Sequence, residues 1–171
     1  MRPAAVTLRS MTEVKVARTF DATAHLVWRS YTEPDLLRRW MLGPAGWSMP
    51  VCEVDLRVGG RYRWHWKNFE SGGEFGFHGV FLHIEPDAQI VHTQIFDPGT
   101  VGGTMAVTAV ITVTFEEANG QTTMVTVIKF QSIEDRDAAI STGMTDGMEA
   151  SYRLLDAMLA ELCQTKERGV A

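Results

Sequence analysis

The chain has 171 residues, 45% hydrophobic and 22% charged, enough for one domain with its own core. That balance excludes bulk disorder, and no apolar run approaches the roughly 20 residues a membrane-spanning helix needs. A net charge of −5 without a basic stripe excludes nucleic acid and an anionic membrane surface as partners.

Residues 1–11 show no periodicity and lack the apolar stretch of a secretory signal. They are expected as a disordered leader, followed by a domain over 12–163 and a flexible tail over 164–171. Without a signal the expected location is the cytoplasm, where Cys52 and Cys163, far apart and without a CxxC neighbour, stay reduced. Glu13 to Phe20 alternates as a first strand. Asp21 and Thr23 offer cap chemistry for a helix carrying Leu26, Val27, Trp28 and Tyr31, and Pro34 opens a second short helix.

Two glycines and two prolines mark 42–50 as a loop, and Gly59–Gly60 reads as a hairpin turn before the strand RYRWHWKNF. Further strands are expected over Glu74–Ile84, Gln89–Phe96, Thr104–Phe115 and Gln121–Phe130, the last two joined by Asn119–Gly120. From about Glu134 to Leu162, residues placed at 100° each put Ile140, Met144, Gly147, Met148, Ser151, Leu154, Leu155, Met158 and Leu162 on one face. A single helix of that length spans roughly 40 Å. Consecutive strands with helices at the ends define an α+β domain: a curved antiparallel sheet around a long C-terminal helix.

Gly143, Gly147 and Ser151 recur every four residues on or beside the packing stripe, and each mid-helix glycine costs about 1 kcal/mol relative to alanine. Either the helix backbone approaches a strand there, or the missing side chains leave room for a ligand. Alternation puts Tyr62, Trp64 and Trp66 on one strand face, opposite Arg61, Arg63, His65 and Lys67. On the next strand Phe75, Phe77, Phe81 and His83 share a face. Such bulk either fills a core or lines an apolar pocket, for which Trp64, Trp66, Phe77, Phe81, Met144, Gly147, Met148, Ser151 and Leu155 are the candidate lining. His65, His78, Tyr152 and Thr126 are candidate orienting groups.

The five histidines fall in neither HxH nor HExxH spacing, so no metal is expected, and no cofactor motif is present. Serine-nucleophile, phosphate-loop and dinucleotide patterns are absent, and Glu53 with Asp55 reads as a solvated strand edge. No catalytic residue is assigned; a His–Glu pair meeting in the pocket would be the route to acid–base chemistry.

The stretches RTFDATAHLVWRSYTEPDLLRRWM, GPAGW, CEVDLRVGGRYRW and FHGVFLHIEP, with the Gly- and Met-rich final helix, carry a resemblance. Over roughly 13–162 the chain resembles the activator of heat-shock-protein-90 ATPase homologue-like group of the SRPBCC (START, birch-pollen-allergen-like) superfamily. That resemblance implies a helix-grip fold: a sheet of about six or seven strands around the C-terminal helix, with a tunnel between. Its motifs bring no catalytic residues. Ser30 stands where alanine is usual, and Met41 follows Trp40 where a second aromatic is usual. Chaperone activation is not carried over, because the co-chaperone uses a separate N-terminal domain for which 171 residues leave no room.

The expected function is binding of a small hydrophobic or aromatic ligand without turnover. The alternatives are a protein-interaction domain, as a co-chaperone or a homodimer through an exposed sheet face, and a cyclase- or dehydratase-type enzyme acting on a hydrophobic substrate.

Overall fold

The computed structural model describes residues 3–102 and 108–168. Among the described residues eight antiparallel strands form one sheet: β1 (Ala5–Ser10), β2 (Glu13–Phe20), β3 (Trp47–Val54), β4 (Arg61–Asn68), β5 (Glu74–Glu85), β6 (Gln89–Asp97), β7 (Thr108–Ala118) and β8 (Gln121–Phe130). Their spatial order is β1-β2-β8-β7-β6-β5-β4-β3. The chain leaves β2 through helices α1 (Ala24–Thr32) and α2 (Pro34–Trp40), crosses to the far edge, and returns strand by strand. Helices α3 (Ile133–Ser141) and α4 (Met144–Arg168) follow β8.

Alternation fixes which face is buried. Val14, Val16, Arg18 and Phe20 on β2, Tyr62, Trp64 and Trp66 on β4, and Met124, Thr126, Ile128 and Phe130 on β8 are all buried. Their odd-numbered or even-numbered neighbours face outward, as the period of two demands. The helices cover this face: Trp28 and Tyr31 of α1 meet Phe115 edge-on, and Trp40 of α2 stacks on Tyr152 of α4. The Trp40 indole N–H donates to the Ser30 carbonyl (2.8 Å), while the Ser30 hydroxyl donates to the Leu26 carbonyl, so serine is satisfied at this fully buried site.

Several sequence expectations need correction. The leader expected over 1–11 holds strand β1, paired antiparallel to β2 with Val6 opposite Val16 and Leu8 opposite Val14. Val6 and Leu8 alternate with Thr7 and Arg9, but all six residues are exposed, and the pairing partner supplies what local sequence does not. The tail expected from 164 continues α4 as far as Arg168; residues 169–171 lie outside the described residues.

The single helix expected from Glu134 is two. Gly143 takes φ +79° and ends α3, its N–H donating to the Ile140 carbonyl, while its own carbonyl accepts from the Gly147 N–H. Positive φ is the conformation that glycine adopts without a Cβ clash, so Gly143 is a helix stop and start, not part of a packing stripe.

β3 begins inside the expected 42–50 loop, and its pairing with β4 slips between Ser48 and Val51. Pro50 fits there because β3 is an edge strand and the slip removes the need for its N–H. The Gly59–Gly60 turn is the end of a longer connection over 55–60. The first residues of the strand expected from Thr104, up to 107, lie outside the described residues; β7 is described from Thr108. On β5 the pairing with β6 slips at Leu82, so His83 is exposed and does not share the buried face of Phe81.

Candidate functional site

The concave face carries an aromatic shelf. Tyr62, Trp64 and Trp66 on β4 lie beside Phe75, Phe77 and Phe81 on β5, with Trp64 directly opposite Phe77 and Trp66 opposite Phe75. The Trp66 and Phe75 rings stack at 5.0 Å, Phe77 meets Trp66 edge-on at 5.6 Å, and Phe96 of β6 approaches Phe77 to 5.4 Å. These pairs lie at the end of the sheet where β4 stops, β5 starts and β6 stops. β8 ends on that side as well, with Phe130 opposite Ala109, and α3 follows it directly.

The shelf is sealed at one part and open at another. Trp64, Trp66, Phe81, Ser151 and Leu155 are buried, and Leu155 is fully so. Phe77, Met144, Gly147 and Met148 are only half-buried, as are Phe75 and Phe96. A Cβ built at Gly147 meets nothing within 4 Å. The candidate residues therefore divide: the first set is buried in the core, and the second packs against it half-buried. Phe75 and Phe96 are additions to the sequence-derived set, and the parity of Phe75 with Phe77 is the signal that could have found the former.

An open cleft of about 340 Å³ adjoins the same end of the sheet, lined by Thr12, Thr108, Ala109, Lys129 and Phe130 among others. It touches the concave face through Ala109 and Phe130 and contains none of the sequence-derived candidates.

Two bonds hold the α2–β3 connection against this region. The Gly43 N–H donates to Ser151 Oγ (2.8 Å), and Trp66 Nε1–H donates to the Met41 carbonyl (2.6 Å). Trp66 thus shows only its ring, and the backbone of Met41, not its side-chain type, supplies the acceptor.

The candidate orienting groups are distributed differently from the expectation. His65 faces outward, where its Nε2 lies 3.2 Å from Glu74 Oε2 and Lys67 Nζ lies 2.7 Å from Glu74 Oε1. Lys67 and His65 hold the Glu74 carboxyl below the usual range. A His–Glu pair does form, then, but on the convex side, away from the shelf. His78 is exposed. Tyr152 is core, its phenol pushed up to about 12 by burial despite the Thr126 hydroxyl nearby.

The polar groups that do sit in the interior are others. Arg18 of β2 is buried against α4, bonded to Glu149 (2.9 Å) and to Asp156. Glu149 also accepts the Ala4 N–H (2.9 Å), which ties the start of the chain to the final helix. Burial opposes the Glu149 charge, but Ala4, Arg153 and Arg18 outweigh it and hold its pKa down. His92 of β6 is fully buried beside Tyr62 and Trp64. A lone histidine in an apolar strand gave no sequence signal of this.

Among the described residues no group of three or more His, Cys, Asp or Glu is placed to hold a metal ion, and no helix is long and apolar enough to cross a membrane.

A curved antiparallel sheet closed by a C-terminal helix, with an apolar concave face, is the helix-grip architecture of the SRPBCC superfamily, a fold that commonly binds hydrophobic ligands. Within it, the chain belongs to the family described as Activator of Hsp90 ATPase homolog 1-like protein, which it matches over residues 21–160. A Rhodobacter sphaeroides protein of known structure is 28% identical, with a TM-score of 0.82 over 93% of this chain and 99% of that one. A Mycobacterium smegmatis structure is similar at 21% identity and a TM-score of 0.80, covering 92% and 97%. An AHSA1-like protein from Aeromonas hydrophila is similar at 22% identity and a TM-score of 0.64, covering 84% and 93%. At those last two identities the likeness concerns the fold alone. No curated protein matches the chain.

Proposed function

We infer that the protein binds a small hydrophobic or aromatic molecule between the sheet and α4, without turning it over. One observation carries this reading: Phe75, Phe77 and Phe96, beside the buried Trp66, are only half-buried where a filled core would close over them. Large aromatics left partly exposed are costly in water, at about 25 cal/mol per Å² of apolar surface, and a ligand recovers that cost. Met144 and Met148 add adaptable surface at the start of α4, and Gly147 leaves space beside them. Binding without turnover is supported by the placement of the His65–Glu74 pair on the convex face, out of reach of the shelf.

Native mass spectrometry of the gently purified protein tests this reading. A bound apolar molecule, released by organic extraction and restored by adding it back, is the expected result. A bare protein whose melting temperature is unmoved by fatty acids, sterols and polycyclic aromatics alike contradicts it.

A second reading, association through the sheet edge, has one observation in its favour. β1 is an exposed edge strand on which Val6 and Leu8 are 46% and 62% exposed. Unpaired edges of this kind accept another strand. A concentration-dependent mass in sedimentation equilibrium, abolished by Val6→Lys, is what that reading requires.

A further inference from the structure

Three buried side-chain nitrogens have no hydrogen-bond partner among the described residues: Arg18 Nε, on a guanidinium already bonded to Glu149 and Asp156, and Trp64 Nε1 and His92 Nε2, whose chemistry is complementary. Trp64 is 4% exposed and its Nε1–H is unpaired; His92 is 0% exposed and its Nε2 is unpaired. An orphaned buried polar group costs about 1–3 kcal/mol, so each of the two calls for an occupant. Both rings project from the concave face, edge to face with centroids 6.0 Å apart, and both pack on Tyr62.

The tautomer of His92 follows from its other nitrogen. Nδ1 lies 3.1 Å from the Thr93 carbonyl and 3.0 Å from the Tyr62 hydroxyl, whose own proton goes to the same carbonyl (2.8 Å). A carbonyl only accepts, so Nδ1 carries the proton and Nε2 is a bare acceptor. Because Nδ1 turns back to its own strand, Nε2 points away from the β6 backbone. Burial keeps the ring neutral, pulling its pKa down to about 4. The pair thus offers one donor and one acceptor.

We propose that Trp64 and His92 hold the O–H group of an alcohol or phenol, whose oxygen accepts from Trp64 Nε1–H and whose proton is donated to His92 Nε2. The proposal rests on the ligand-binding reading and narrows the ligand class. A carboxylate or ketone satisfies Trp64 but has no proton for His92, and an ammonium satisfies His92 but accepts nothing from Trp64. Bound water has the same O–H chemistry, and the experiment separates the two sources.

Affinities of the full chain for 2-naphthol and for 2-methylnaphthalene, matched in shape, are measured by calorimetry. The wild type is expected to prefer the naphthol at least tenfold. Trp64→Phe and His92→Asn, the latter keeping an N–H near the Nδ1 position, each reduce that preference to less than threefold. Two variants guard against one that fails to fold. Equal affinity of the wild type for both probes overturns the hydroxyl inference and leaves the apolar site standing; binding of neither overturns both. In a parallel NMR arm, naphthol is expected to shift the Trp64 indole proton. Persistence of a water cross-peak at that proton under saturating naphthol assigns the site to a structural water and overturns the proposal.

Discussion

Ser151 Oγ accepts the Gly43 N–H at 2.8 Å, so the middle of α4 fastens the connection between α2 and β3. Trp66 fastens the same connection through the Met41 carbonyl. A segment that would otherwise be a free loop is thus pinned beside the half-open shelf. Ser151→Ala removes the acceptor and is expected to cost about 1 kcal/mol in urea denaturation. The Gly43 amide should then exchange with solvent faster, while amides of β7 and β8 keep their protection. An unchanged Gly43 amide would mean that Ser151 does not restrain the connection.

Arg18 is the inner anchor of the final helix. Its side chain is 1% exposed and lies between Glu149 and Asp156. Replacing it with methionine leaves Asp156, whose pKa burial already raises, without its counter-charge. The expected loss is about 3 kcal/mol or more, as for other broken buried pairs. Arg18→Met with Asp156→Leu should recover part of it, because the orphaned carboxylate is removed too. Equilibrium denaturation of the single and double variants measures both terms.

Acid stability reports on His92. Burial depresses its folded-state pKa to about 4, below an unfolded value of about 6.5. As pH falls, the unfolded chain therefore takes up the proton first. The contribution is fully present above 6.5 and is lost on the way down towards 4. Between pH 7 and pH 5 the loss is about 2 kcal/mol. His92→Asn should lack this step, so wild-type and variant stabilities, measured at both pH values, ought to converge on the acid side. Parallel curves would contradict a buried neutral imidazole.

Gly147 separates stability from binding. A Cβ at this position meets nothing, so Gly147→Ala is expected to stabilise the protein by about 1 kcal/mol through helix propensity. Gly147→Leu reaches further into the same space and should weaken binding of an apolar ligand about tenfold at little cost to folding. Thermal melts with and without ligand distinguish the two effects.

The sheet was legible in the sequence because alternation is local. Trp64 and Trp66 against Arg63 and His65 needed only a period of two, and the Asn119–Gly120 turn marked itself. β1 was not legible, since Val6 and Leu8 mean little until Val16 and Val14 lie opposite them. Gly143 was visible but ambiguous: its four-residue spacing to Gly147 imitates a packing stripe, and only φ +79° shows it to be a break. His83 was misplaced by one bulge, which no composition announces.

The packing of the candidate residues was legible in part. Met144, Gly147 and Met148, singled out by spacing, are half-buried, whereas Leu155 and Ser151 on the same stripe are buried, with Ser151 engaged by the Gly43 N–H. The interior polar groups could not be read, because Arg18 on a strand looks like a solvated charge until Glu149 and Asp156, more than 130 residues away, are brought to it.

Methyl NMR during titration with 2-naphthol tests the location of the site most directly. Met144 and Met148 are half-buried at the start of α4 and pack against the core, while Met11 lies on the turn between β1 and β2, 68% exposed. The expected result is saturable shifts of the Met144 and Met148 methyls with Met11 unmoved. Saturable binding that leaves Met144 and Met148 unshifted would place the ligand elsewhere and contradict a site between the sheet and α4.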